Sequence, residues 1–200
     1  MLPFERKGER KMNFSIRKSD SLAHETGYFK NSVDELKKEW MQYTNQLIDY
    51  GPEIINLSRA LSQTNEKIDE NKKKLTEMLS NFARILEQLE QRHSEHYQLL
   101  TEIDGLDFPL KSPEKMLKIL EKDQDLIKNM KNVIKNLNKT ISFYGNDTTD
   151  KELLSNSIKS FEEAFNEYSG LCKEYNKTLQ SLAEELKKEH DRAKKYNDFV

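Results

Sequence analysis

Turn-forming and cross-linking residues are scarce in this chain: 200 residues include one cysteine, four prolines and six glycines. A single cysteine, Cys172, excludes an intrachain disulfide and a multi-cysteine zinc site. So little glycine and proline leaves material for only a few turns. Long apolar runs are missing as well. Nowhere do more than two apolar residues follow one another, which excludes a transmembrane helix and the hydrophobic core of a secretory signal. The 33 basic and 35 acidic side chains leave a net charge of −2, so the chain lacks the overall positive field of a nucleic-acid binder. No glycine loop that could cradle phosphate is present, and no motif for an activated nucleophile. A helical di-iron site would need two Glu-x-x-His elements. Glu90 to His93 is one, but Lys187 stands where His190 would need a glutamate. The expectation is a cytoplasmic chain that is not an enzyme, takes no small-molecule substrate and carries no cofactor or metal.

What is present is a heptad. Alternate steps of four and three residues lead from Phe29 through Val33, Leu36, Trp40, Leu47, Ile54, Leu61, Ile68, Leu75, Phe82 and Leu89 to Leu106. Nineteen of its 23 positions are apolar, and Thr64, Asn71, Arg92 and His96 are the exceptions. A 3.5-residue period keeps one stripe facing a neighbouring helix, the pattern of a coiled coil or long bundle. Gly51 and Pro52 are the one break signal within it. The phase crosses them without slipping, so the pattern predicts one helix over about 28–106, kinked near Pro52. Polar seam residues such as Asn71 can fix register or oligomeric state.

Gly105, Pro109 and Pro113 mark the next interruption, with Ser112 as N-cap and proline at the first helical position. A second heptad runs through Met116, Leu120, Asp123, Ile127, Met130, Ile134, Leu137, Ile141 and Tyr144, predicting a helix over 113–144. Gly145 to Asp147 form a turn, and Thr149 with Glu152 makes a capping-box pattern. A third heptad, from Leu154 through Phe161, Phe165, Tyr168, Cys172, Tyr175 and Leu186, predicts a helix over 149–200. The fold class is therefore all-α: an elongated antiparallel bundle or coiled coil of three long helices. The first is the longest by far. Its unpaired stripe would be covered by a second copy or a related helical chain, with Trp40, Leu47, Leu61, Leu75, Phe82 and Leu89 at the interface.

Two basic features stand out. Residues 1–27 lack the heptad and form an arm, mobile or amphipathic, in which Arg10, Lys11 and Phe14 are placed to meet an anionic membrane. Between Asp125 and Asp147 there is no acidic residue, while Lys128, Lys131, Lys135 and Lys139 recur on one flank of the second predicted helix. That strip fits anionic lipid headgroups, an acidic partner helix or plain solvent. Lys72, Lys73 and Lys74 form a smaller cluster.

A long kinked helix followed by two more, with a lysine strip and a basic arm, resembles a BAR domain, in particular that of the sorting nexins. Leu57-Ser58-Arg59-Ala60-Leu61-Ser62-Gln63, Glu66-Lys67-Ile68 and Leu79-Ser80-Asn81-Phe82 with Arg84 are similar to stretches in that family, and the likeness covers about a third of the chain. The resemblance implies a crescent-shaped homodimer that binds or curves anionic membranes in vesicle trafficking, peripheral on the cytoplasmic face. The lysine strip would be its contact surface. Two other classes fit the pattern. One is a coiled-coil subunit of a vesicle tether or cytoskeletal complex, and the other is a bacterial helical-hairpin secretion substrate or pore component.

Overall fold

A computed structural model describes residues 7–63, 67–106, 108–145 and 147–198, with side-chain surroundings from Leu22 to Lys195. The chain is all-helical: α1 spans Lys7–Gln63, α2 Ile68–Asp104, α3 Ser112–Phe143 and α4 Thr148–Asp198. Among the described residues there is no strand.

Among the described residues there are four helices rather than the expected three. The stretch 28–106 is not one helix, because α1 ends at Gln63 and α2 begins at Ile68. Lys67 takes a left-handed backbone (φ 55°, ψ 32°), and its carbonyl accepts the first α2 bond, from the Asn71 N–H at 2.9 Å. The chain reverses here, so α2 lies against α1. At Gly51 and Pro52, where the break signal sits, α1 runs on without interruption. Pro52 is exposed, and water can take the Ile48 carbonyl that the proline cannot bond. Helix α1 runs through residue 27, continuous from Lys7. A left-handed lysine is strained where glycine would not be. Lys67→Gly is therefore expected to stabilise the fold by roughly 1 kcal/mol, against a loss of about 1 kcal/mol if residue 67 lay inside a helix. The sign of the shift in urea midpoint checks this.

The helices form a ring in cross-section. α1 packs on α2 and α4, and α3 packs on the same two, while the diagonal backbones stay apart. Each seam carries an ion pair: Arg92 to Glu39 between α2 and α1 (2.9 Å), Lys131 to Glu90 between α3 and α2 (2.5 Å), Lys115 to Glu174 between α3 and α4 (3.2 Å), and Arg59 to Glu162 between α1 and α4 (2.6 Å). Such half-exposed pairs each contribute at most about 1 kcal/mol, so they favour this arrangement without holding it together. The core does that. Leu47, Ile54, Leu61, Leu75, Phe82, Leu89, Ile127, Phe161 and Leu182 are all within 1% of full burial. The second and third heptads are buried as the period predicts, from Met116 to Tyr144 and from Leu154 to Leu186.

In α1 the buried stripe shifts by one residue after Trp40. Thr44, Gly51 and Ser58 turn inward, and Tyr43, Tyr50 and Leu57 lie half-buried beside them. The reason is α4. A Cβ on Gly51 would come within 2.2 Å of the Phe165 ring carbons, so glycine is what lets the two helices come together there. At Thr44, Oγ1 accepts a bond from the Asn176 amide at 3.1 Å.

Both hairpin turns, α1–α2 and α3–α4, lie at one end, where the Lys72 ammonium donates to the Tyr144 carbonyl at 3.1 Å. The α2–α3 turn lies at the other. Glu185 of α4 caps α3 there: its carboxylate accepts the N–H groups of Lys111 and Ser112 and the Ser112 hydroxyl, at 3.0–3.2 Å. The expected cap, the Ser112 side chain, is thus itself bonded to Glu185. The capping pattern at the start of α4 likewise sits two residues earlier than Thr149 and Glu152. Asp147 Oδ1 accepts the Asp150 N–H at 2.7 Å, and Asp150 reaches back to the Gly145 N–H at 2.6 Å.

Candidate interaction surface and buried polar layer

Packing sorts the α3 lysines into two kinds. Lys131 points toward α2 and is committed to Glu90. Lys128, Lys135 and Lys139 are exposed on the outer face, among the exposed amides Asn129, Asn132 and Asn136. This outer face carries no carboxylate along half the helix. At its end two large apolar side chains stand in solvent, Phe143 (76% exposed) and Leu153 (54%). With Asn136, Lys139, Thr140 and Asp150 they line a groove of about 370 Å³ between α3 and α4.

The other basic candidates divide in the same way. Lys72 is held by the Tyr144 carbonyl, whereas Lys73 and Lys74 are exposed. Arg10, Lys11 and Phe14 fall where α1 is described only as backbone, so their side chains lie outside the described residues. Trp40, Leu47, Leu61, Leu75, Phe82 and Leu89, expected at an interface between chains, are buried inside this one. The apolar stripe expected to outrun its neighbours is divided at residue 67 and covered within the chain, its α1 part by α4 as well as α2.

Sequence reasoning missed a second basic concavity, between α1 and α4. Lys30, Lys187, Lys194, His24 and His190 line a groove of about 720 Å³ together with Asp191 and Tyr28. Its signal was the helical spacing of Lys187, His190 and Lys194 on one flank of α4. His190 Nδ1 lies 3.2 Å from the Thr26 hydroxyl, tying the two helices at this level.

Inside the bundle a polar layer crosses the core. The Trp40 ring of α1 packs against His96 of α2 (4.9 Å between centroids) and Tyr175 of α4 (4.5 Å). Next to them His93 Nε2 meets the Leu120 carbonyl at 2.9 Å, and its Nδ1 faces the Gln124 amide at 3.1 Å. Asp123 of α3 is fully buried toward Tyr168 of α4. Neither Asp123 oxygen makes a hydrogen bond of normal geometry, and the same holds for Trp40 Nε1, His96 Nδ1 and the hydroxyls of Tyr168 and Tyr175. Desolvation pushes the Asp123 carboxyl up to about 7, opposed by the Tyr168 hydroxyl and reinforced by Glu90. Burial also holds His96 down at about 4. It raises Tyr168, Cys172 and Tyr175 well above their ordinary values, so all three stay protonated.

Glu90 and His93, the one di-iron-like element in the sequence, are engaged by Lys131 and by α3 respectively. Among the described residues no three His, Cys, Asp or Glu side chains are grouped as metal ligands, and no helix is long and apolar enough to cross a membrane. No protein-family model matches the chain, and no curated protein is significantly similar to it.

Proposed function

We propose that this chain is a non-catalytic helical scaffold that docks on anionic membrane surfaces through the outer face of α3. The supporting observation is the run of exposed Lys128, Lys135 and Lys139 on a half of α3 without acidic residues, with the exposed pair Phe143 and Leu153 at its end, beside Asp150. Each lysine near an anionic surface contributes about 1 kcal/mol. Three together give roughly 3 kcal/mol, and the two apolar side chains add contact with the headgroup boundary. Self-association through the stripe from Phe29 to Leu106 is not part of the proposal, since those side chains are used up within one chain. The crescent-shaped dimer implied by the BAR resemblance is therefore set aside, and its membrane contact is kept.

Sedimentation with phosphatidylserine liposomes tests this. Wild-type protein is expected to bind at low salt and to release as ionic strength rises. Changing Lys128, Lys135 and Lys139 together to glutamate should weaken binding at least about 100-fold and leave helicity unchanged, because none of the three packs in the core. Wild-type protein that stays in the supernatant at low salt sinks the proposal. The second reading is then an assembly subunit. It is favoured by the groove beside Phe143 and Leu153, which has room for a side chain from a partner helix.

A further inference from the structure

The buried polar layer has no part in surface docking, yet all four helices contribute to it. Asp123 is its most costly member, an acid fully enclosed toward α4 with no hydrogen bond of normal geometry to either oxygen. A carboxylate in that position needs a cation or several donors. None is at hand. The charge acting on it from α2 is that of Glu90, which has the same sign and is already paired with Lys131. From α4 it meets Tyr168, Cys172 and Tyr175, all neutral. Helix α1 lies diagonally opposite α3 and makes no backbone contact with it.

We propose that Asp123 is a proton-operated latch of the bundle, closed as the neutral acid facing Tyr168 and sprung when the proton leaves. The neutral acid faces the Tyr168 hydroxyl without an uncompensated charge. The anion has only the Tyr168 hydroxyl as donor, and any further donor must be water, which reaches it only if the helices around it part at this level.

The direction with pH follows from which state holds the proton. The folded chain keeps it up to about 7, whereas an unfolded aspartate gives it up near 4. Between those values unfolding releases a proton, so this contribution to stability is complete below about pH 4 and is lost as pH rises toward 7. His96 works in the opposite sense. It faces Arg92, His93 and Glu95 on its own helix and Trp40 on α1, and it is neutral when folded. Unfolding takes up a proton there between about 4 and 6.5, so its contribution is lost as pH falls. In the wild type the two slopes oppose each other across the mildly acidic range, and the latch is read by difference.

Urea unfolding of wild type and Asp123→Asn between pH 4.5 and 8 gives that difference. The wild-type unfolding constant is expected to rise relative to that of the variant by up to about tenfold per pH unit below 7, and to level off above it. Parallel profiles for the two proteins would overturn the proposal. Should Asp123→Asn fail to fold, carbon NMR of the Asp123 carboxyl in wild-type protein decides. A midpoint near 7 upholds the latch, and one near 4 removes it. Amide exchange adds a local reading, because protection around Asp123 and Tyr168 should drop between pH 6 and 8 by more than the intrinsic rate change. Unchanged protection there would mean that ionisation opens nothing.

Discussion

Phe82→Asp is expected to leave the chain without a cooperative fold in plain buffer. Phe82 is completely enclosed on α2 and reaches across the diagonal of the ring, edge-on to Phe161 at 5.7 Å and Phe165 at 6.2 Å on α4. Losing such a ring costs about 3–5 kcal/mol, and an unpaired buried carboxylate adds several more. Set against a total stability of about 5–15 kcal/mol, little or none would remain. Circular dichroism with a urea titration measures it. Phe82→Leu, which keeps an apolar side chain, should fold with a loss of about 1.5 kcal/mol. Because the three rings belong to one chain, its unfolding midpoint should not move with protein concentration. A midpoint that did move would mean that a second copy covers Phe82.

Gly51→Leu is the other large effect. In an isolated helix leucine is better than glycine by about 0.8 kcal/mol, so a surface position would be stabilised. Here the new Cβ collides with the Phe165 ring, and α1 and α4 must separate to admit the side chain. Overpacking of that kind costs about 1–3 kcal/mol or more, and a net loss near 2–3 kcal/mol is expected in thermal and urea unfolding. The double variant Gly51→Leu with Phe165→Ala should recover part of that loss, because leucine would enter the space the ring vacates. Strictly additive losses would mean that the two positions do not touch.

The heptads of α3 and α4 were fully legible because their apolar residues keep one phase and their turns carry glycine, proline and aspartate. The division between α1 and α2 was not. Its turn contains no glycine or proline, and a lysine supplies the left-handed residue, while the only Gly-Pro pair sits mid-helix. The available signal was weaker: Thr64 and Asn71, two polar heptad positions flanking Ile68, fall where the stripe pauses. In α1 the hydrophobicity of Tyr43, Tyr50 and Leu57 concealed the true inward positions. Close approach to α4 selects small residues there, and small residues carry little hydrophobic signal. Likewise, the lysine strip could be read from spacing alone, but the commitment of Lys131 to Glu90 depends on which helix lies alongside α3. Asp123 read as an ordinary heptad position, since only the neighbouring helices decide whether a seam carboxyl finds a partner.

The ring closes through its first and last members, and this affects how each molecule is made. Thr26 meets His190 across 164 positions of chain, and Thr44 meets Asn176 across 132. The three consecutive hairpins need only near neighbours and can form quickly, whereas the closing contact waits for the whole length. At roughly 5–20 residues added per second, the stretch from the end of α1 at Gln63 to the start of α4 at Thr148 takes on the order of ten seconds. Once α2 has followed it, one flank of α1 can seat on α2, while the flank bearing Gly51 stays bare until α4 is made. Each nascent chain thus passes through a sticky three-helix stage, and the speed of α4 synthesis sets how long neighbouring polysomal chains can compete for that flank.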